Sequence, residues 1–189
     1  WSVFTATASA TPVYGTGSLR RVQTTFTGLD HLEGKEVQIL GDGAVIPPQT
    51  VSGGSVSVPE PEQRSSVAHI GLQYVSKLQP MNLEADLAGA APASEKRVRN
   101  IVPYLIKSLG LKYTTNVIDP NTGELEVFEV PFRDTTDQMD FAPPLRSGYL
   151  VEDIDMNFDK EADITLIQDY PLPLFVESLT LKHNATGER

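Results

Sequence analysis

The stretch Gly34-Lys35-Glu36-Val37-Gln38-Ile39-Leu40-Gly41-Asp42-Gly43-Ala44-Val45-Ile46-Pro47-Pro48 decides the fold class. Val37 and Ile39 flank the polar Gln38, a period of two that reads as a half-buried strand. Asp42-Gly43 is a pair that tolerates positive φ in a tight turn, and Ala44-Val45-Ile46 follows at once, so the segment reads as a β-hairpin.

The same grammar continues outward. Ser52-Gly53-Gly54 is a second turn signal, and in the run Ser55-Val56-Ser57-Val58 the two valines form one apolar face. Between Val67 and Tyr74, Ala68, Ile70, Leu72 and Tyr74 alternate with Val67, His69, Gly71 and Gln73. These runs predict a four- or five-strand meander over 25–83, within a small β-barrel or meander module spanning 22–86. Residues 1–21, small and polar from 5 to 18, read as a linker or arm.

The Ala/Gly/Pro-rich residues 87–94 mark a boundary or a long connection. Residues 95–113 fit either a helix or a strand. Pro103 would cost a helix interior roughly 3 kcal/mol, so an edge or bulged strand over 97–108 is preferred. Asp119-Pro120-Asn121-Thr122-Gly123 is a turn joining 112–118 to 125–132. Further alternating runs follow at 148–158, 162–168 and 172–181. The expectation is a second antiparallel module over 95–182 and a tail at 183–189. The fold class is mainly β, with antiparallel sandwich- or barrel-like modules, long loops and little helix.

Composition narrows the function. The 189 residues carry 25 Asp+Glu against 15 Lys+Arg, a formal charge of −10, which disfavours tight non-specific nucleic-acid binding. With no cysteine there is no disulfide scaffold, thiolate nucleophile or sulfur-ligated zinc. No run approaches the roughly 18 apolar residues of a membrane-spanning helix, so no membrane insertion by this segment is expected. Trp1 stands where an initiator Met would, and the start reads as a fragment boundary or processed end.

Motifs for chemistry are missing. His31, His69 and His183 are scattered, and none sits in a zinc-binding context; they read as one strand histidine and two exposed ones. The acidic runs at 152–155 and 159–163 lack the residue order of a calcium loop and read as solvated strand ends. There is no G-x-S-x-G elbow and no phosphate-cradling loop. Neither an enzyme nor a cofactor or metal is therefore expected, although two carboxylates meeting in space to hydrolyse a glycosidic bond stay open as a minor reading.

One resemblance runs through most of the chain. The segment from Gly28 to Gly43, then Thr50-Val51-Ser52-Gly53-Gly54, then His69-Ile70-Gly71-Leu72-Gln73-Tyr74, resembles a module in virion proteins of tailed phages. Glu129-Val130-Pro131-Phe132-Arg133 and Pro171-Leu172-Pro173 resemble its later signatures, in the same order. Gln73 departs from the pattern, which usually has proline there. The family comprises tail nozzle, tail tubular protein B and packaged-DNA-stabilisation proteins, some with an FCCH-like small β-barrel. Its members are longer chains with a propeller-like region ahead of this module, so the resemblance implies the carboxy-terminal half of such a protein or a shortened version.

What the resemblance implies is a non-catalytic virion component of a short-tailed phage. It would form a homo-oligomeric ring, such as a hexamer, that extends the DNA-ejection channel and contacts other tail proteins such as adaptor and fibre. Rings close through heterologous contacts, and an acidic lumen would let DNA pass without specific binding. Loop and connection residues are the candidates for assembly: Asp42, Gly43 and Pro47 at the first hairpin, Lys96, Arg97 and Arg99 beside the Ala-rich loop, and Asp134, Pro143 and Pro144 in the long connection. The alternative from another class is a host-surface binding β module of a phage tail, recognising a glycan or receptor through exposed aromatic side chains.

Overall fold

The computed structural model describes residues 2–5, 23–59, 64–81, 95–138 and 141–185. Among these the chain is mainly β, in several antiparallel sheets, and its one helical element is the 3₁₀ turn Asp30–Leu32. It divides into two compact units. The first takes the described residues of Trp1–Tyr74, Thr135–Pro144 and Asp169–Leu172, and the second those of Val75–Asp134, Leu145–Gln168 and Pro173–Arg189.

The first unit is built on the hairpin of β3 (Glu36–Gly41) and β4 (Ala44–Thr50). Asp42 and Gly43 sit at φ 48° and 89°, the conformation a two-residue turn of matching twist requires. Strand β1 (Ser2–Thr5), β2 (Thr25–Thr27), β5 (Ser55–Ser57) and β6 (Val67–Gly71) complete the unit. The sheet order is β1-β6-β3-β4, with β2 and β5 forming a separate pair.

This corrects the meander. Because β5 turns back onto β2, the second edge of β3 is left to β6, where Ile70 pairs with Ile39 and both are fully buried. It also corrects the arm, since Ser2–Thr5 pairs with β6; the rest of the proposed arm, 6–21, lies outside the described residues. Phe26, Leu29, Val37, Ile46, Val51, Val56, Val58 and Ala68 fill the core around that isoleucine pair. Gln38 is buried as well, so β3 is covered on both faces, and its Nε2 donates to the Asp169 carbonyl at 3.0 Å.

A carboxylate closes the second turn. Gly53 and Gly54, both at positive φ, aim successive amides at Glu33, whose Oε1 and Oε2 accept at 2.9 and 2.7 Å. These two amides hold the Glu33 carboxyl below its ordinary value of 4.5. A lowered folded-state pKa contributes stability that is present above 4.5 and is lost as pH falls through the lower value. Glu33→Gln should therefore lower the melting temperature at neutral pH and flatten its fall in acid. An unchanged acid limb in thermal scans of the variant would contradict this role.

The second unit holds two sheets. In one, β7 (Ser76–Leu78), β9 (Lys112–Ile118), β10 (Leu125–Glu129) and β13 (Thr165–Gln168) run in the order β10-β9-β13-β7. The expected first module, 22–86, thus runs past the division after Tyr74, because β7 pairs with β13. The β9–β10 turn forms as read: Asp119 Oδ1 accepts from the Asn121 amide at 2.8 Å, and Gly123 at φ 72° donates to the Asp119 carbonyl at 2.8 Å.

The other sheet is organised around β8 (Lys96–Ser108), a strand and not a helix. It meets β14 (Val176–Ala185) along one edge, and β11 (Arg146–Tyr149) then β12 (Glu152–Asp153) along the other. It is bulged, as expected, but central, with no free edge to accommodate Pro103. A strand residue's N–H and C=O point to the same neighbour. The Pro103 carbonyl accepts from the Leu150 amide at 3.0 Å, so the missing donor falls at the break between β11 and β12. Lys107, at φ 44°, marks an irregularity where the Ser147 hydroxyl receives its amide at 2.9 Å. The expected tail begins too early, since His183, Asn184 and Ala185 pair with Val98, Arg97 and Lys96.

Candidate interaction surface

In the first unit the hairpin tip is a built structure. The Asp42 carboxylate accepts from the Ser66 amide at 2.8 Å, the Ser66 hydroxyl at 3.0 Å and the Val67 amide at 3.2 Å. Asp42 therefore locks the approach of β6 to the hairpin. A Cβ placed on Gly43 would stand 3.5 Å from the Cβ of Ala142, so the tip lies beside the segment that carries Pro143 and Pro144. Pro143 is half-buried and Pro144 exposed. Pro47 and Pro48 are exposed on β4, the edge of its sheet, and neither carries an N–H, so this edge is poorly suited to accept a further strand.

In the second unit the three basic candidates separate. Lys96 is only 7% exposed, and its backbone exchanges hydrogen bonds of 2.7 and 2.9 Å with Asp159, so it offers little to a partner. Arg97 Nη2 lies 3.8 Å from Asp155 Oδ1 with both side chains exposed, a contact worth at most about 1 kcal/mol. Arg99 is exposed. Asp134 is exposed as well, in the connection that follows Arg133.

The acidic segment after β11 is structural. Asn100 Nδ2 donates to Asp153 Oδ1, the Tyr113 and Thr115 hydroxyls donate to the carbonyls of Asp153 and Asp155, and Asn116 and Asn157 exchange two hydrogen bonds. Burial, helped by the charge of Asp153, raises the Glu152 carboxyl above its ordinary value. Burial likewise raises the Tyr113 phenol, with Glu152, Asp155 and Asp153 adding to the effect. Among the described residues no group of three His, Asp or Glu side chains is arranged to hold a metal ion, and no helix is long and apolar enough to cross a membrane. His31 is exposed, whereas His69 and His183 lie half-buried in β6 and β14, so two histidines sit in strands where one was expected.

Two surfaces lie outside the candidate loops. On β9 and β10, Ile118, Leu125 and Val127 are 59%, 53% and 54% exposed, with Ile118 directly opposite Leu125. They share the face opposite Tyr113 and Phe128, whose rings stack at 5.2 Å. On β8 and β11, Tyr104 and Tyr149 are paired in register, with ring centroids 4.7 Å apart and planes at 71°. The alternation in 125–129 was a sequence signal for the first surface. The second depends on which strand lies beside β8, and that has no local signature. No protein-family model matches the chain, and no curated protein matches it.

Proposed function

We propose that this chain is a structural component of a tailed-phage virion, a ring-forming tail nozzle or tube protein whose copies join edge to edge around the DNA-ejection channel. The reading draws on the ordered signatures from Gly28 to Pro173 and on one structural observation, the contrast between two strand edges. The β4 edge is guarded by Pro47 and Pro48. The β10 edge has no proline and presents Leu125 and Val127 beside Ile118, the kind of aliphatic edge that isolated proteins avoid and assemblies cover. The net charge of −10 per copy suits a channel wall that repels DNA and leaves it free to slide.

Size-exclusion chromatography with light scattering, and electron microscopy of the purified chain, test this. The expected result is a closed ring that Val127→Lys disperses into monomers without lowering the melting temperature. A wild-type chain that stays monomeric over a wide concentration range would overturn the proposal.

A further inference from the structure

The outer face of the β8 sheet presents a second surface, separate from the β10 edge. Val98, Ile101 and Leu105 of β8 point into the core, so Arg97, Val102 and Tyr104 lie on the opposite face. The register then assembles three strands. Tyr149 of β11 stands opposite Tyr104, while Ser178 and Thr180 of β14 stand opposite Tyr104 and Val102, and Lys182 stands opposite Asn100. Tyr149 is 72% exposed. Hydroxyls, an aromatic pair and, beyond them, cationic side chains thus follow one another along the face.

Charge selects among ligands. Asp155 is engaged by Arg97 and Asp153 by Asn100. Arg99 and Lys182 are exposed and form no ion pair among the described residues. Since the Asn100 amide leaves the Asp153 charge in place, three cations, Arg97, Arg99 and Lys182, stand against Asp153 and Asp155, a local positive excess on a chain whose net charge is −10. From Asn100 to Tyr104 the strand advances about 13 Å, the reach of a short oligosaccharide.

From this geometry we propose that the outer β8 face binds an acidic saccharide chain. The apolar face of one sugar ring stacks on Tyr149, hydroxyls pair with Ser178 and Thr180, and a carboxylate or sulfate on a neighbouring unit meets Arg99 and Lys182. Single-stranded nucleic acid is the poorer fit. Tyrosine rings at 71° offer no pair of parallel platforms for successive bases. The inference goes beyond ring assembly and does not require it.

Isothermal titration calorimetry of the full chain tests it, with trigalacturonic acid, a heparin tetrasaccharide, sialyllactose, the neutral sugar maltotriose and a short oligothymidylate as probes. At least one acidic saccharide should bind more tightly than maltotriose and the oligothymidylate, and its affinity should fall with added salt. Tyr149→Ala should weaken that binding about tenfold, the size of a lost aromatic contact, and Tyr149→Phe should restore most of it. Arg99→Ala with Lys182→Ala should remove the preference over maltotriose. Melting temperatures of Tyr149→Phe and of the Arg99→Ala, Lys182→Ala variant should match wild type, whereas Tyr149→Ala also loses the edge contact with Tyr104 and is read against Tyr149→Phe, which keeps it. Failure of all three acidic saccharides, indifference of their binding to Tyr149→Ala, or tighter binding of the oligothymidylate would overturn the proposal. Chromatography of the same variants reads the oligomeric state separately.

Discussion

Truncating Ile101 to alanine should destabilise the protein by about 2–5 kcal/mol. Ile101 is fully buried at the middle of β8, opposite Leu181 of β14 on one side and Glu152 of β12 on the other. Three strands converge on this side chain, and all three are held by ladder hydrogen bonds, so the cavity left behind has little means of collapsing. The loss then contains both the transfer of the deleted methylenes and the empty volume. Denaturant unfolding followed by fluorescence or circular dichroism should show a lower midpoint at an unchanged slope. A midpoint within experimental scatter of wild type would mean that β8 is not the strand on which this sheet depends.

The same substitution has a consequence for pH. Glu152, beside Ile101 in the register, is held above the ordinary carboxyl value of 4.5 mainly by burial. Raising a folded-state pKa gives stability that is present below 4.5 and is lost as pH rises through the higher folded value. Deleting the side chain that stands beside Glu152 should loosen the packing over its carboxyl, relax the burial and shrink that loss. Glu33 acts in the opposite sense, losing its contribution as pH falls, so the two carboxylates bend the stability profile from opposite sides.

Gly41→Ala is expected to cost about 1–3 kcal/mol by overpacking. A Cβ at this position would lie 2.8 Å from Ile46 Cδ1 and 2.9 Å from both Cβ and Oγ of Ser65. The isoleucine tip and the serine hydroxyl can rotate away, but the serine Cβ moves only with its backbone, which exchanges hydrogen bonds with Gln23 at 2.9 and 3.1 Å. The penalty is therefore steric and not conformational, because Gly41 is a strand residue without positive φ. Differential scanning calorimetry of the variant should show a lower transition temperature, whereas Gly34→Ala, with nothing within 4 Å of the added atom, meets only the strain of its φ of 71°. Equal shifts for the two variants would show that packing at Gly41 is looser than these distances imply.

Much of the architecture was readable one segment at a time. The hairpin at Asp42-Gly43, the two-glycine turn at Gly53 and Gly54, and the Asp119 turn all formed where their residues placed them, because each rests on φ preferences and hydrogen bonds within four or five residues, to which the distant Glu33 carboxylate adds at the second. Alternation placed Val56 and Val58 on one apolar face, and both are buried, for the same local reason. Pro103 was read correctly as incompatible with a helix. Its place in a central strand was not read, since the gap that tolerates it is made by residues almost fifty positions later.

The candidate surfaces divide in the same way. Lys96 looked like one of a basic trio, yet it faces inward with Val98 because both occupy the core side of β8. Tyr104 and Tyr149 carried no motif, and they meet only because β11 pairs with β8. A two-residue period assigns each side chain to one of two faces and turn residues mark where a strand must end, and those are properties of neighbouring atoms along the chain. Which strand lies beside which is chosen by burying the most apolar surface across contacts distant in sequence. That choice set Ile70 beside Ile39, made β8 central and gave the protein the faces it has to offer a partner.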